Sequence, residues 1–292
     1  MNKQLKGLLL VLFATMQWGL VGILVQYLIT TRHFTPEWLV NTRLLASGII
    51  LLIVSRLFFT KDIFSVLRKN FIGILILGII GLFGSQYGFY VAINHSNAPT
   101  ATILVFLTPV FVALYTLIVK HKAPSGLQAL AIILATTGTL LIVTKGDFSQ
   151  IVLEPMALVG GIGSALCCVL YTLQPRRLLA TYEPTAVIGW SMLYGGLFIS
   201  LFDDPFDVPQ TVDISAFICI ASMIIFGTVI AFYFYLKSLS YISPTEVSIL
   251  TVGEPLTSIV LSAIVFNLSF SIIELIGTAC ILSTVFILAK AK

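Results

Sequence analysis

The sequence predicts an all-α membrane protein of ten transmembrane helices, arranged as two inverted five-helix repeats. Three observations carry this. Hydrophobic residues make up 58% of the 292-residue chain, charged residues 10%, and the mean hydropathy is +1.07, outside the range of a soluble domain. A helix needs about 20 apolar residues to cross roughly 30 Å of hydrocarbon, and the chain divides into ten such runs with little between them. Sliding the chain on itself by 145 residues lays Phe89-Tyr90 on Phe234-Tyr235 and Pro99-Thr100 on Pro244-Thr245; one further residue brings Pro109 onto Pro255.

In chain order the spans are expected near 7–29, 37–58, 71–93, 99–119, 126–144, 156–174, 184–202, 215–237, 243–266 and 270–289. The first has no small-residue cleavage site after it and nine more follow, so it reads as a retained span. Pro36 and Gly48 of the second find counterparts in Pro184 and Gly196 of the seventh. The third carries "GLFGSQYGFY", where Gly84 and Gly88 form a small-xxx-small face for close helix contact. The fourth opens at Pro99 and the ninth at Pro244, inside "SPTE", a capping box that makes Glu246 an end-tie for that helix. Glu274, at the start of the tenth, is expected at the interface. With five helices per half, the second half enters the membrane upside down. The halves are residues 1–147 and 148–292.

Basic residues set the orientation. Thirteen of the sixteen Lys and Arg fall at the N-terminus, in every second connection and at the C-terminus; Arg32 and Lys145 lie on the other side and Arg43 is inside a span. This bias places both termini in the cytoplasm of a multi-pass protein of the cytoplasmic membrane. The net charge of +4 is then topology, with no nucleic-acid partner implied. The runs are too long for barrel strands and lack two-residue alternation. The acidic "DDPFDVPQTVD", residues 203–213, reads as a solvated connection.

Several chemistries are excluded by pattern. Cys167, Cys168, Cys219 and Cys280 lie inside spans without a C-x-x-C pair, so they read as packing residues, with no disulfide framework or zinc site. "GGIGSA" is not G-x-S-x-G, there is no H-E-x-x-H, and His33, His95 and His121 fall at span ends or loops. No catalytic constellation, cofactor or ATP-binding motif is expected, so the protein reads as a non-enzyme.

Candidate binding residues sit where polar groups enter the apolar runs. Pro109 and Pro255 lie roughly 15–17 Å along their helices, half the hydrocarbon thickness. Each is expected to kink a helix and to free the carbonyl four residues back, Val105 and Thr251. Glu254 is mid-span, where a charged carboxylate costs about 2.5–3.5 kcal/mol. It must be protonated, paired or water-facing. Thr108 holds the matching place in the other half. Gln17 and Trp18 sit halfway through the first span and face a cavity in preference to lipid; Arg43 is roughly 10 Å into the second, able either to snorkel or to bind an anionic group. Gln86, Tyr87 and Tyr90 on the third span, and Tyr171, Trp190, Tyr233 and Tyr235 beyond it, add polar edges.

Taken together, "QWG", "PEWLVNTRLLASG", "SALCCVLYTLQPRRL" and the "PT…P" and "PTEVSILTVGEP" pair resemble the drug/metabolite transporter superfamily, specifically the EamA-like permeases, over nearly the whole chain. The resemblance implies a basket-shaped bundle around a central cavity, often exporting amino acids or other small metabolites, with Trp18, Arg43, Gln86, Tyr90, Pro109, Glu254 and Pro255 among the cavity positions. Two features depart from that pattern. The Gly-Glu pairs that close the fourth and ninth spans of many members are replaced by "VKHKAP" and "VFNLSF", and the first-helix glutamate of small multidrug transporters is absent, Gln17 being the nearest polar residue. The expectation is a secondary transporter of a small-molecule substrate in a lipid bilayer, coupled to protons or to the substrate's own gradient. A membrane-embedded binding or regulatory protein, or a passive channel, is the alternative.

Overall fold

The computed structural model describes residues 3–60, 62–120, 125–147, 152–238, 240–242, 246–247 and 250–290. The described residues form helices and no strands. Eight helices are long and apolar enough to cross a membrane: α1 (Gln4–Thr30), α2 (Pro36–Phe58), α3 (Ser65–Asn94), α4 (Ala98–Val119), α5 (Gly126–Thr144), α6 (Pro155–Thr181), α8 (Ile214–Tyr235) and α10 (Ile272–Lys290). Two shorter apolar helices, α7 (Pro184–Ile199) and α9 (Gly253–Phe266), lie between them. The helix starts follow capping chemistry. Thr35, Asn97 and Asp213 each accept a backbone N–H of the first turn of α2, α4 and α8, and Ser125 and Gln128 close a capping box on α5. Ser243 and Pro244 of the expected capping box, and His121, lie outside the described residues.

The helices pack as a bundle in definite pairs. α2 lies along α7, α5 along α10 and α3 along α6, while α1 packs against both α8 and α9 and α4 against α6. Small residues allow the closest approach. A Cβ on Gly88 would sit 2.7 Å from the Gly160 carbonyl oxygen, and one on Gly160 would sit 2.7 Å from that of Gly88, so α3 and α6 touch backbone to backbone. Exposed large apolar side chains such as Ile53, Ile72, Val159 and Phe217 ring the outside, as lipid contact requires.

The two proline sites differ from the expected kinks. In α4 the chain leaves helical hydrogen bonding at Phe106-Leu107 and restarts at Thr108, with Pro109 the second residue of the new segment. Before α9 the turn falls at Thr251-Val252, and Pro255 is the third residue of the helix. Proline therefore opens a helix where its missing N–H costs nothing, in place of bending a continuous one. The carbonyls expected to be free are also occupied: Val105 accepts the Thr108 hydroxyl at 2.6 Å, and Thr251 accepts the Glu254 amide at 3.0 Å.

Two further irregularities have no proline. α3 passes through a π turn at Leu77–Phe83 and α8 through another at Ile225–Ile230. The acidic 203–213 connection is mostly exposed, as a solvated connection is expected to be, and is anchored at three points. The Asp203 carbonyl accepts from Asn41 at 2.8 Å, the Pro205 carbonyl accepts the Trp38 indole N–H at 3.1 Å, and Asp213 pairs with Arg32 at 2.9 Å.

Candidate functional site

Arg43 does not snorkel. α2 carries it into the bundle interior, where it is 8% exposed. Its Nε donates to Thr228 Oγ1 at 3.1 Å, Nη1 to Tyr90 Oη at 3.0 Å, and Nη2 to the Gly227 carbonyl at 3.5 Å. All three acceptors are neutral, and none of the ion pairs among the described residues includes Arg43. A guanidinium has five N–H donors in a fixed fork, so two remain unspent. The acceptors are themselves anchored. Tyr90, fully buried, donates to Met223 Sδ at 3.1 Å, and the Thr228 hydroxyl donates to the Met223 carbonyl at 3.3 Å. The π turn of α8 explains why Gly227 and Thr228 reach α2: one turn widens, the hydrogen-bond ladder slips and backbone groups turn inward.

Glu254 lies in the first turn of α9, half-buried, and within electrostatic range of Arg43, Tyr171 and Cys168. Its carboxylate forms no hydrogen bond or ion pair among the described residues. Helix α1 meets α9 at this level through Gly19, where a Cβ would stand 2.5 Å from the Glu254 carbonyl oxygen and 2.8 Å from Thr257 Cβ. Next to it Trp18 packs on Phe232 and Tyr235, ring centroids 5.5 and 5.2 Å away. Thr108 donates to the Val105 carbonyl at 2.6 Å and, at 3.4 Å, to the Ala165 carbonyl of α6.

One interior cluster thus brings together Arg43 and Tyr90 with Glu254 in electrostatic range, and Thr108 lies against α6. Trp18 stands on the α1 flank. Tyr233 is not part of this group. It is 38% exposed, and its hydroxyl accepts from Lys237 at 2.8 Å. Gln17 and Gln86 are half-buried, with Gln86 Oε1 lacking a partner. Pro109 is half-buried and Pro255 buried; both act as helix starters. Tyr87 donates to Glu37 at 2.7 Å, and the Trp190 indole donates to the Ile63 carbonyl at 2.8 Å. Sequence reasoning missed Thr228, Gly227 and Met223. The available signal was the polar Gly-Thr pair inside the apolar run "IIFGTVIAF". No group of three or more His, Cys, Asp or Glu among the described residues is placed to hold a metal.

An apolar bundle with a buried arginine held by neutral groups, and an unpartnered carboxylate within its field, needs a place among known membrane proteins. The chain belongs to the EamA-like transporter family, whose profile matches residues 5–144 and again residues 155–290. It is a membrane transporter. It is 35% identical over 291 residues, 99% of this chain and 97% of the relative, to the uncharacterised inner membrane transporter YicL of Salmonella typhimurium. The uncharacterised transporter YyaM of Bacillus subtilis is 24% identical over 87% of this chain and 84% of its own. One solved crystal structure shares the fold at a TM-score of 0.64 and 18% identity, over 96% of this chain and 95% of that one.

Proposed function

We propose that the protein is a secondary transporter that exports an amino acid or related small metabolite by alternating access. In this reading ten helices form two inverted five-helix repeats, residues 1–147 and 148–292, with both termini cytoplasmic, and one half rocks against the other. The packing supports the repeat. The pairings α3–α6 and α4–α6 return five helices on as α8–α1 and α9–α1, while α2–α7 and α5–α10 map onto themselves. The π turns of α3 and α8 and the breaks at Phe106-Leu107 and Thr251-Val252 obey the same relation.

The observation that carries the substrate reading is the pairing of Arg43, with two N–H groups unspent, and Glu254, with no bonded partner, in one interior within electrostatic range. A solute with a carboxylate and an ammonium group satisfies both, and Glu254 is equally suited to carry a coupling proton. Trp18 and Tyr90 shape the site. Midplane sites between interrupted helices are the pattern of inverted-repeat transporters.

The test compares intracellular and medium metabolites, by untargeted mass spectrometry, in cells making the parent, Glu254→Gln, or neither. A solute class that leaves the cell with the parent and stays at control levels with Glu254→Gln supports the reading. Equal shifts with parent and variant remove Glu254 from the site; no shift for any solute, with folded protein in the membrane, counts against transport.

A further inference from the structure

We infer that His95 and Glu154 form a pH-sensitive latch that holds one end of the bundle closed. His95 caps the C-terminal end of α3, and Glu154 immediately precedes α6. Their side chains meet with Nδ1 2.7 Å from Oε1. The contact crosses from the first matched family segment to the residue bordering the second. It lines a cavity of about 240 Å³ together with Asn97, Thr100, Lys145 and Glu274, so water reaches both groups.

The opposite end carries the counterpart tether, related by the five-helix offset. There the start of α1 meets the connection after α8: Lys6 Nζ stands 5.1 Å over the Tyr241 ring, and Gln4 donates to Glu246 at 3.3 Å. No histidine takes part in that tether among the described residues. Two ends that must open in turn are therefore tied by contacts of different chemistry, and among the described residues one of them contains an imidazole, the side-chain type suited to a pH switch.

The sign follows from the charges around the cavity. Facing His95 are Glu154 at the start of α6, Lys145 at the end of α5 and Glu274 in the first turn of α10, with Lys145 paired to Glu274 at 3.3 Å. With His95 protonated, two cations balance two carboxylates among the described lining residues, and the His95–Glu154 bond is an ion pair. With His95 neutral, the described lining residues keep one cation against two carboxylates, and the latch loses its ion pair, leaving at most a hydrogen bond from a neutral imidazole to a carboxylate. Acid holds this end shut and alkali releases it. By the basic-residue bias it is the extracytoplasmic end.

The latch rests on the alternating-access reading only for the motion it restrains, and it is testable without any transported solute. Nitroxide labels at the exposed positions Asn94 and Val152, in a cysteine-free full-length protein in lipid nanodiscs, report the separation across the latch by pulsed electron paramagnetic resonance. The expected result is one short distance at pH 6 and a longer population that grows about two- to fivefold at pH 8, the span expected for one partly exposed ion pair. Glu154→Gln should abolish the pH response, and His95→Arg, charged at both pH values, should keep the short distance at pH 8. A control pair at Leu5 and Ser240 should lack the growth of a longer population at pH 8. An unchanged distance in the parent, or an equal pH response in Glu154→Gln, overturns the latch and leaves the Arg43–Glu254 reading standing.

Discussion

Arg43 Nη1 donates to Tyr90 Oη at 3.0 Å across α2 and α3, with both side chains buried. A cation in an apolar interior is stable only when its donors are met, and Tyr90 meets one of them while its own proton goes to Met223. Removing the hydroxyl leaves a charged donor unpaired. Tyr90→Phe should therefore cost about 1.5–3 kcal/mol, read as a lower thermal midpoint in detergent. Arg43→Lys should fail as a substitute, because a single ammonium cannot reproduce the fork that reaches Tyr90, Thr228 and Gly227 together.

Thr228 holds the same guanidinium through Nε. Thr228→Val keeps shape and loses the acceptor, which should cost roughly 1–3 kcal/mol. Thr228→Ser keeps the acceptor and should cost only about 0.8 kcal/mol for the lost methyl. Because Tyr90 and Thr228 share one partner, the double variant Tyr90→Phe/Thr228→Val should deviate from additivity by about 0.5 kcal/mol or more.

The α3–α6 contact separates glycines that need the absence of a side chain from one that does not. Gly160→Ala would place Cβ 2.7 Å from the Gly88 carbonyl oxygen and should destabilise by about 1–3 kcal/mol as the helices are forced apart. A Cβ on Gly163, in the same helix, would meet nothing within 4 Å. Gly163→Ala should instead raise stability by roughly 0.8–1 kcal/mol through helix propensity. Thermal unfolding of the two variants side by side checks both signs.

Asp213, outside the apolar part of α8, accepts the Ala216 amide and the Ser215 hydroxyl and pairs with Arg32. The Ala216 hydrogen bond first, then Ser215 and Arg32, hold its carboxyl below the usual range. A depressed folded-state value means the stabilisation is fully present above the unfolded value, about 3.9, and is lost as pH falls through the folded one. Asp213→Asn should lower the thermal midpoint at pH 7, and the gap from the parent should close as the pH is brought below 4 or so.

The fold was readable to the extent that it follows from hydrophobic length. Eight of the ten expected runs appear as helices long enough to span a membrane, six of them within a few residues of their expected bounds, while α3 begins six residues earlier and α6 runs seven residues further. α7 and α9 are shorter. α7 ends at Ile199 because the next residues turn to hold Asn41 and Trp38, contacts made by α2 that no local pattern reveals. α9 begins at Gly253 because the break precedes Pro255. For the site, Glu254 and Arg43 stood out as charges inside apolar runs, a local anomaly visible in one sequence. Thr228 and the Gly227 carbonyl did not, since their role depends on a π turn unmarked by proline, and no local pattern shows that Tyr233 is exposed and meets Lys237.

The π turn of α3 has a rotational consequence. An α-helix advances about 100° per residue, and a π turn holds one residue more than the α-helical turn it replaces. Everything after Phe83 on α3 is therefore turned by about 100° relative to an uninterrupted helix. Tyr87, Gly88 and Tyr90 all lie downstream of it. Deleting one residue between Leu77 and Phe83 would leave every side chain of the arginine's surroundings in the protein, and would swing the tyrosine hydroxyl away from it while pointing Gly88 away from Gly160. The extra residue works as a phase setting, and the chemistry of the interior is in register only while it is present.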